Sequence, residues 1–308
     1  MNDDKPTLIV KAAPGGGQHG SRGGIPAPFV VGASRSGTTL LRLMLDAHPE
    51  LAIPPETHFI PRLVQACQMA ADPRDGFAEV LTAGNRWVEF GLDPAAWRRV
   101  AGPDPFDLGD GLRAFYRLYA ERFGKPRWGD KTPPYLHRMQ LIQRLLPEAR
   151  FVHLIRDGRD VALSHQGLWF GPTSVRAAAR WWTALIAAAR AQVDDLRFYL
   201  EVRYEDLVRE PEATLRRVCA FVELPWHPTV LDYHARAQER LEELARPERR
   251  PDGRIVSGAD RAAIHGRTSQ PPDAAHVGRW RREMSVPDRQ WFEARAGALL
   301  RELGYEVG

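Results

Sequence analysis

Cysteine and long apolar segments are both scarce in this sequence, and each absence restricts the class of protein. The 308 residues contain two cysteines, Cys67 and Cys219. These are too few for a disulfide framework and lack the spacing of zinc ligands, so we expect free, buried thiols. No window approaches the roughly 18 consecutive apolar residues of a membrane-spanning helix, and the N-terminus lacks a signal-peptide pattern. These absences predict a soluble cytoplasmic protein with no metal site, disulfide or membrane span.

Lysine is equally rare. Only Lys5, Lys11, Lys125 and Lys131 are present among 43 basic residues, so nearly every cation is an arginine. With 39 acidic residues the formal net charge is +4, an excess that suits an anionic ligand but is too diffuse to indicate nucleic acid. A lysine inside a motif is therefore less expected by chance, which draws attention to Lys131.

The order of apolar runs and turn residues predicts one α/β domain, residues 28–308, after a tail. Residues 1–27 are rich in Gly and Pro and lack periodicity, so we expect disorder. Strands are expected at 29–31, 150–155 and 197–203, and helices at 58–71, 75–90, 110–123, 134–146, 159–170, 174–195 and 287–303. Residues 246–280 are again rich in Arg, Pro and Gly. Such alternation indicates a central parallel sheet with helices on both faces.

The first strand leads into a glycine-bounded turn, Gly32-Ala-Ser-Arg-Ser-Gly37-Thr38-Thr39. A turn of this kind before a helix directs backbone N–H groups and the positive end of the helix dipole to one point, which makes an anion site. Compared with G-x-x-x-x-G-K-[ST], the loop has Thr38 where the lysine that binds the β- and γ-phosphates belongs, which argues against ATP or GTP hydrolysis. Arg35 instead supplies a planar cation for a tetrahedral oxyanion.

The segment SRSGTTLLRLMLDAHPE, residues 34–50, resembles the 5′-phosphosulfate loop of sulfotransferases that use 3′-phosphoadenosine-5′-phosphosulfate (PAPS). It is more similar to the Arg-type loop of tyrosylprotein sulfotransferases and many bacterial members than to the Lys-type loop of cytosolic phenol and steroid enzymes. Residues 54–61, PPETHFIP, extend the similarity. The resemblance implies a P-loop-like three-layer fold and PAPS as sulfuryl donor. It also implies donor contacts by the loop residues Arg35, Ser36, Gly37, Thr38 and Thr39.

A second anion site is predicted where a later strand ends, in IRDGRDVALS, residues 155–164. Arg156 follows the strand, and Ser164 lies two helical turns further on, so both can reach one phosphate at the carboxyl edge of the sheet. Taken alone, R-D-x-R-D is a weak signal that a solvated helix start would also explain. Following the first loop, it resembles the family's 3′-phosphate motif, in which these two positions bind that phosphate.

Two further donor contacts are implied near the C-terminus. The segment VGRWRR, residues 277–282, resembles the glycine-basic loop that closes over the donor, with Arg279 as a contact and Trp280 as a packing lid. A basic run is also typical of solvated surface. Ser269 lies where relatives place a serine near the transferred group, although the loop lengths differ.

Sulfuryl transfer requires a base for the acceptor hydroxyl, a cation at the leaving oxygen and fixed geometry. Glu56 resembles the glutamate base of the E-T-x-x-I-P segment in the tyrosylprotein branch, although burial would have to raise its pKa from near 4.3. His58 is the competing base. Lys131, in WGDKTPP, resembles the lysine that contacts the bridging oxygen, and Arg35 would assist on the 5′ side.

Aromatic side chains could line the acceptor pocket, although such residues are more often part of a core. The candidates are Trp169, Phe170, Trp181 and Trp182. In VRYEDL, residues 202–207, Tyr204 and Glu205 are interpreted as anchors of a strand end.

Three classes of function remain open. The first is a PAPS-dependent sulfotransferase with a tyrosine or other phenol, a carbohydrate or a natural-product alcohol as acceptor. The second is an ATP-dependent P-loop kinase, against which the missing lysine counts. The third is a non-catalytic module that binds the product adenosine 3′,5′-bisphosphate (PAP), against which Glu56, Lys131 and Arg35 count.

Overall fold

The computed structural model describes residues 8–12, 24–83, 86–102, 104–249 and 253–308. The strands are β1 Val10–Ala12, β2 Ala27–Gly32, β3 Leu51–Ala52, β4 Arg127–Trp128, β5 Asp130–Lys131, β6 Ala149–Ile155, β7 Phe198–Arg203, β8 Glu248–Arg249 and β9 Ile255–Val256. The α-helices are α1 Thr38–Asp46, α2 Ile60–Met69, α3 Pro73–Ala83, α4 Trp87–Phe90, α5 Pro94–Val100, α6 Leu108–Glu121, α7 Met139–Leu145, α8 Gly158–His165, α9 Val175–Arg190, α10 Tyr204–Arg209, α11 Pro211–Phe221, α12 His234–Glu242, α13 Gly258–His265, α14 Trp280–Glu283 and α15 Val286–Glu302. Short 3₁₀ helices cover Pro133–Arg138, Val193–Asp195, Pro228–Val230, Gly266–Ser269 and Ala274–His276.

A five-stranded sheet in the order β1-β7-β6-β2-β5 forms the centre of the molecule. Strands β7, β6, β2 and β5 are parallel, and β1 pairs antiparallel with β7 at the edge. The carboxyl ends of the parallel strands therefore share one edge, where open α/β sheets bind ligands. The predicted central parallel sheet is confirmed, with one antiparallel strand added.

Both faces of the sheet are buried, because side chains alternate between two apolar cores. Phe29 and Val31 of β2 pack in one core with residues of α6, α9 and α15. Val30, between them, packs in the other core with residues of α1, α11 and α12. Helices on both faces confirm the three-layer α/β fold.

The N-terminal segment departs in part from the expected disorder. Val10–Ala12 forms β1, the Ile9 N–H donates to the carboxylate of Glu201 (3.0 Å), and Lys11 Nζ donates to the Val193 carbonyl (2.8 Å). The prediction of disorder for residues 1–27 is therefore wrong at 10–12. The partners of this strand, Glu201 and Val193, lie far along the chain, so local composition cannot reveal them. Residues 1–7 and 13–23 of the predicted tail lie outside the described residues.

Helix predictions differ from the structure mainly where glycine and proline interrupt the apolar spacing. The helix expected over 159–170 ends at His165, because Gly167 and Gly171 adopt positive φ angles of 78° and 84° that suit turns. The segment 246–280 contains α13, whose N-cap Ser257 accepts a hydrogen bond from the Asp260 N–H. Among the described residues, no helix is both long and apolar enough to cross a membrane.

A buried carboxylate closes the junction between β7 and α10. Glu205 accepts hydrogen bonds from the Asp157 N–H (3.0 Å) and the Tyr305 hydroxyl (2.9 Å). Burial raises the pKa of Glu205 from its ordinary 4.5 to about 7. The folded protein therefore holds a proton at this site that the unfolded chain releases, so this contribution to stability is lost as pH rises.

We expect the Glu205→Gln variant to lose this pH dependence. Between pH 4.5 and about 7, the free energy of unfolding of the wild type should fall relative to the variant by about 2 to 3 kcal/mol. Urea unfolding across that range measures the difference. Glu201→Gln provides a comparison. Burial also opposes ionisation of Glu201, but its hydrogen bond to Arg190 holds its pKa below the ordinary value. The free energy of unfolding of the wild type should therefore fall relative to Glu201→Gln as the pH drops below 4.5. A pH-independent difference for Glu205→Gln would contradict the assignment.

Candidate active site

The loop between β2 and α1 is a tight turn that presents a helix N-terminus. Arg35 has φ 69° and Gly37 has φ 97°, both in the left-handed region. A Cβ atom at Gly37 would lie 2.5 Å from a ring carbon of Tyr204, so only glycine fits there. The first N–H groups of α1, which begins at Thr38, have no acceptor within the helix. The local sequence thus presents the N-terminus of α1 in the geometry that binds anions in other proteins.

The Ser36 side chain makes its hydrogen bond within this turn and does not face the cavity. Its hydroxyl donates to the Ala33 carbonyl (2.7 Å), its N–H donates to the same oxygen (3.2 Å), and its side chain is fully buried. Both donors of Ser36 therefore stabilise the turn, and the donor contact that the resemblance implies for Ser36 stays a prediction.

The two motifs predicted from the sequence meet at this turn. Arg35 Nε donates to Ser164 Oγ (3.1 Å), and Arg156 Nη1 donates to the Arg35 carbonyl (3.2 Å). Strands β2 and β6 are neighbours in the sheet, so the residues that follow them lie side by side. An arginine and a serine from the second motif thus join the arginine of the first.

Positive charge accumulates around Arg35, and the carboxylate of Asp160 approaches Arg156 only to 3.9 Å. Burial lowers the pKa of Arg35, and the nearby charges of Arg156 and Arg267 lower it further. Arg156 stacks 4.5 Å from the centre of the Tyr204 ring. Its buried Nε atom has no hydrogen-bond partner among the described residues. A buried donor without an acceptor is costly, and an anionic ligand would relieve both this cost and the repulsion.

The predicted catalytic residues Lys131 and Glu56 also meet beside the turn. Lys131 of β5 lies next to Val30 of β2 in the sheet register. Its Nζ atom lies 2.6 Å from Glu56 Oε1 and 3.3 Å from Thr39 Oγ1. Burial lowers the pKa of Lys131, although the carboxylate of Glu56 opposes this shift. The lysine therefore bridges the carboxylate of Glu56 and the phosphate loop, residues 32–39.

Glu56 does not have the raised pKa expected for a carboxylate base at neutral pH. Burial alone would raise it, but the charge of Lys131 and the hydrogen bond from His58 (2.7 Å) hold the pKa well below its usual range. Glu56 is therefore ionised, and its affinity for a proton is reduced. The effect of burial on Glu56 can be anticipated from the sequence, but these two partners cannot.

A buried polar cluster fixes the segment that carries Glu56. The Thr57 hydroxyl donates to Asp130 Oδ2 (2.8 Å), the Tyr116 hydroxyl donates to the same oxygen (2.9 Å), and the Thr57 N–H donates to Thr132 Oγ1 (3.0 Å). Burial raises the pKa of Asp130 to about 6. Thr57 therefore points inward, so its neighbours on either side can face the opposite direction.

A cavity of about 930 Å³ contains most of the residues singled out from the sequence. The predicted residues that line it are Arg35, Gly37, Thr38, Thr39, Glu56, His58, Lys131, Arg156, Ser164, Trp169, Phe170, Trp181 and Arg279. Four predicted residues do not line it: Ser36, Trp182, Ser269 and Trp280. The structure thus brings both anion motifs and the predicted catalytic cluster into one space.

The C-terminal loop is held against α8 by one carboxylate. Asp160 accepts hydrogen bonds from the Gly278 N–H (2.7 Å) and the Trp280 N–H (2.9 Å). Trp280 is buried beneath Arg159, whose guanidinium lies 3.5 Å from the ring centre, so it is a core residue and not a lid over the cavity. Arg279, between them, lines the cavity.

Two more predicted residues, Ser269 and Trp182, make hydrogen bonds away from the cavity. The Ser269 hydroxyl donates to the Gly266 carbonyl (2.7 Å) within its own 3₁₀ turn. Trp182 is buried and donates from Nε1 to the Arg156 carbonyl (3.1 Å). Trp182 therefore stabilises the backbone of the second anion motif at Arg156.

Three aromatic side chains form one wall of the cavity around His165. The His165 ring lies 5.3 Å from Trp181 and 6.1 Å from Phe170, and Phe170 lies 5.1 Å from Trp169. His165 also contacts Ser34 of the phosphate loop, with 2.8 Å between Nε2 and Oγ. An apolar surface therefore adjoins the anion site.

Several residues that line the cavity were not predicted from the sequence, including Arg86, Tyr233, His265 and Thr268. His265 ends α13, in the segment rich in Arg, Pro and Gly, and burial together with Lys131 and Arg35 lowers its pKa to about 3. No local motif marks these positions. Only the folded arrangement of distant segments identifies them.

These features define an α/β protein of the P-loop-like class, with a glycine-bounded loop that lacks the usual lysine and an Arg–Ser pair beside it. Residues 26–228 match the family model described as the sulfotransferase family. The chain belongs to this family.

Curated relatives agree with this assignment. The chain is 30% identical over 219 residues to protein-tyrosine sulfotransferase A of Caenorhabditis elegans, covering 68% of this chain and 52% of that protein. It is 29% identical over 301 residues to nodulation protein NoeE of Sinorhizobium fredii, covering 90% of this chain and 65% of that protein. The chain spans about half the length of the tyrosine sulfotransferases it matches.

Solved structures show the same fold. The sulfotransferase domain from the curacin biosynthetic pathway aligns with a TM-score of 0.55 at 20% identity, covering 92% of this chain and 99% of that one. The sulfotransferase domain of the Synechococcus PCC 7002 olefin synthase aligns with a TM-score of 0.51 at 23% identity, covering 90% and 97%.

Proposed function

We propose that the protein transfers a sulfuryl group from PAPS to a hydroxyl-bearing acceptor. One observation carries the proposal: two anion motifs and the Lys131–Glu56 pair line a single cavity. An enzyme that uses PAPS must bind a 5′-phosphosulfate and a 3′-phosphate and must place a cation at the oxygen between phosphorus and sulfur. The residues present fit each of these needs.

The donor would be held by charge and by directed donors. Among the described residues, seven arginine or lysine side chains and three carboxylates line the cavity, so its net charge favours a polyanion. Arg35 and the N-terminus of α1 would bind the 5′-phosphosulfate, and Arg156 with Ser164 would bind the 3′-phosphate. Arg279 would add a further cation. The unpartnered Nε of Arg156 supports this role.

The transfer step would depend on residues at the other end of the phosphate loop. An O–S bond forms to the acceptor, the bridging S–O bond breaks, and PAP leaves with the electron pair. Lys131 Nζ, beside Thr39, would stabilise the negative charge that develops on the leaving oxygen. Glu56 or its neighbour His58 would receive the acceptor proton.

The acceptor class is also a proposal. The matched relatives include proteins named protein-tyrosine sulfotransferases, and the aromatic wall of Trp169, Phe170 and Trp181 could contact a phenol or another ring. A carbohydrate or a natural-product alcohol remains an alternative. A cytoplasmic location and a reaction without metal stay predictions from the sequence.

The first test is calorimetric titration of the protein with PAP and, separately, with ATP. We expect PAP to bind at least about 100-fold more tightly, because the loop lacks the lysine that binds the β- and γ-phosphates. A preference for ATP would overturn the proposal and support a kinase.

Turnover separates an enzyme from a binding module. PAPS is incubated with a panel of acceptors, namely phenol, N-acetyltyrosine amide, benzyl alcohol and N-acetylglucosamine, and PAP release is measured by chromatography. Acceptor-dependent PAP release is expected for at least one compound. Tight PAP binding with no transfer to any acceptor, including hydroxyl-rich extracts, would support the module instead.

A further inference from the structure

Both oxygens of the Glu56 carboxylate are already engaged. Oε1 lies 2.6 Å from Lys131 Nζ, and Oε2 lies 2.7 Å from His58 Nε2. Each contact stabilises the ionised carboxylate, and the pKa of Glu56 is held well below its usual range. A carboxylate in this state orients its neighbours well but accepts a proton poorly.

His58 has the opposite arrangement. A carboxylate can only accept, so a neutral His58 must carry its proton on Nε2, which leaves the lone pair of Nδ1 free to accept. Nδ1 has no hydrogen-bond partner among the described residues. The His58 side chain is 31% exposed and lines the same cavity as Lys131. An oriented imidazole with one bare nitrogen is the form that a general base requires.

The backbone places His58 in this position at a cost. His58 has φ 52°, a left-handed conformation that non-glycine residues seldom adopt. On one side Thr57 is fixed inward by Asp130, and on the other Phe59 is buried in the core. Anchoring both neighbours turns His58 toward the cavity, and strain of this kind persists where the surrounding structure enforces it.

We propose that His58 is the base of the transfer reaction and that Glu56 is the residue that orients it, so that the two act as a dyad. This inference rests on the sulfuryl transfer proposed above. As the acceptor oxygen bonds to sulfur, its proton passes to His58 Nδ1, and the ionised Glu56 stabilises the imidazolium through Nε2–H. Lys131, which keeps its contact with Glu56 Oε1, acts at the leaving oxygen.

Two substitutions of His58 test the dyad. Asparagine tolerates the left-handed backbone, so His58→Asn removes the imidazole without forcing the turn. We expect its kcat, measured as PAP release with the best acceptor of the panel, to fall by on the order of 10² or more, with PAP affinity unchanged. In His58→Gly, added imidazole should restore at least about tenfold of the loss, because it can occupy the vacated space. The double variant H58N/E56Q should be no slower than H58N, because the two residues act as a unit.

His227→Asn is the control, since His227 caps the 3₁₀ helix Pro228–Val230 and does not line the cavity. It should retain wild-type kcat. If H58N keeps kcat within about threefold of the wild type while E56Q is inactive, Glu56 itself is the base and the dyad is wrong. A slow H58N that also binds PAP poorly, with no rescue by imidazole, would show a structural role and would equally overturn it. Failure of the wild type with every acceptor would contradict the proposed function instead.

Discussion

The Lys131→Ala variant should lose turnover by on the order of 10² or more while its dissociation constant for PAP stays within about threefold of the wild type. Lys131 Nζ is buried between Glu56 and Thr39, where a cation can meet charge that develops only as the bridging bond breaks. Such a contact stabilises the transition state more than the ground state. The effect should therefore appear in kcat and not in binding, as measured by PAP release and calorimetry.

Lys125→Ala provides a matched control within a chain that has four lysines. Lys125 is also largely buried and donates to the Leu51 carbonyl (3.0 Å), but it does not line the cavity. Its replacement should lower thermal stability and leave kcat unchanged. Full activity of Lys131→Ala would refute the role of Lys131 at the leaving oxygen.

The Arg156→Ala variant should bind PAP at least about 100-fold more weakly than the wild type, which corresponds to about 2.7 kcal/mol. The buried Nε of Arg156 has no hydrogen-bond partner in the part of the chain that the structure describes. Arg156 and Ser164 both contact Arg35, so the two side chains lie close together. Charge-assisted contacts to one phosphate are among the strongest single contributions to ligand affinity. Calorimetry measures the loss directly.

A ligand comparison separates contact with the 3′-phosphate from general damage. Adenosine 5′-monophosphate lacks the 3′-phosphate, so the wild type should prefer PAP strongly, and Arg156→Ala should bind the two nucleotides about equally. Ser164→Ala should reduce the preference by less, about three- to tenfold, because a neutral hydroxyl contributes less than a guanidinium. An Arg156→Ala variant that keeps the full preference would place the 3′-phosphate elsewhere.

The parts of the site that the sequence predicted well are the local ones. The turn from Gly32 to Gly37 is marked in the sequence by two glycines between a strand and a helix, although Tyr204 also restricts Gly37. The pairing of Arg156 with that turn also followed from the sequence, because the carboxyl ends of parallel strands meet at one edge. The predicted three-layer fold rests on the same regularities and is confirmed.

The features that the sequence did not predict depend on partners far along the chain or on side-chain hydrogen bonds that composition does not reveal. The Ser36 and Ser269 hydroxyls, for example, donate to carbonyls within their own loops. The low pKa of Glu56 depends on Lys131, which lies 75 residues away. His265 comes from a segment without any motif and reaches the cavity only because α13 ends there. The division at residue 28 stays a prediction.

The two hydrogen bonds that Asp160 accepts from the C-terminal loop determine when one side of the cavity can form during synthesis. This carboxylate, in the first turn of α8, binds N–H groups that lie 118 and 120 residues further along the chain. The loop around Arg279 therefore cannot take its place at the cavity until residue 280 has left the ribosome. A nascent chain that has already folded its phosphate loop would still lack this side of the pocket. Under the proposed function, the donor pocket is therefore completed late in synthesis.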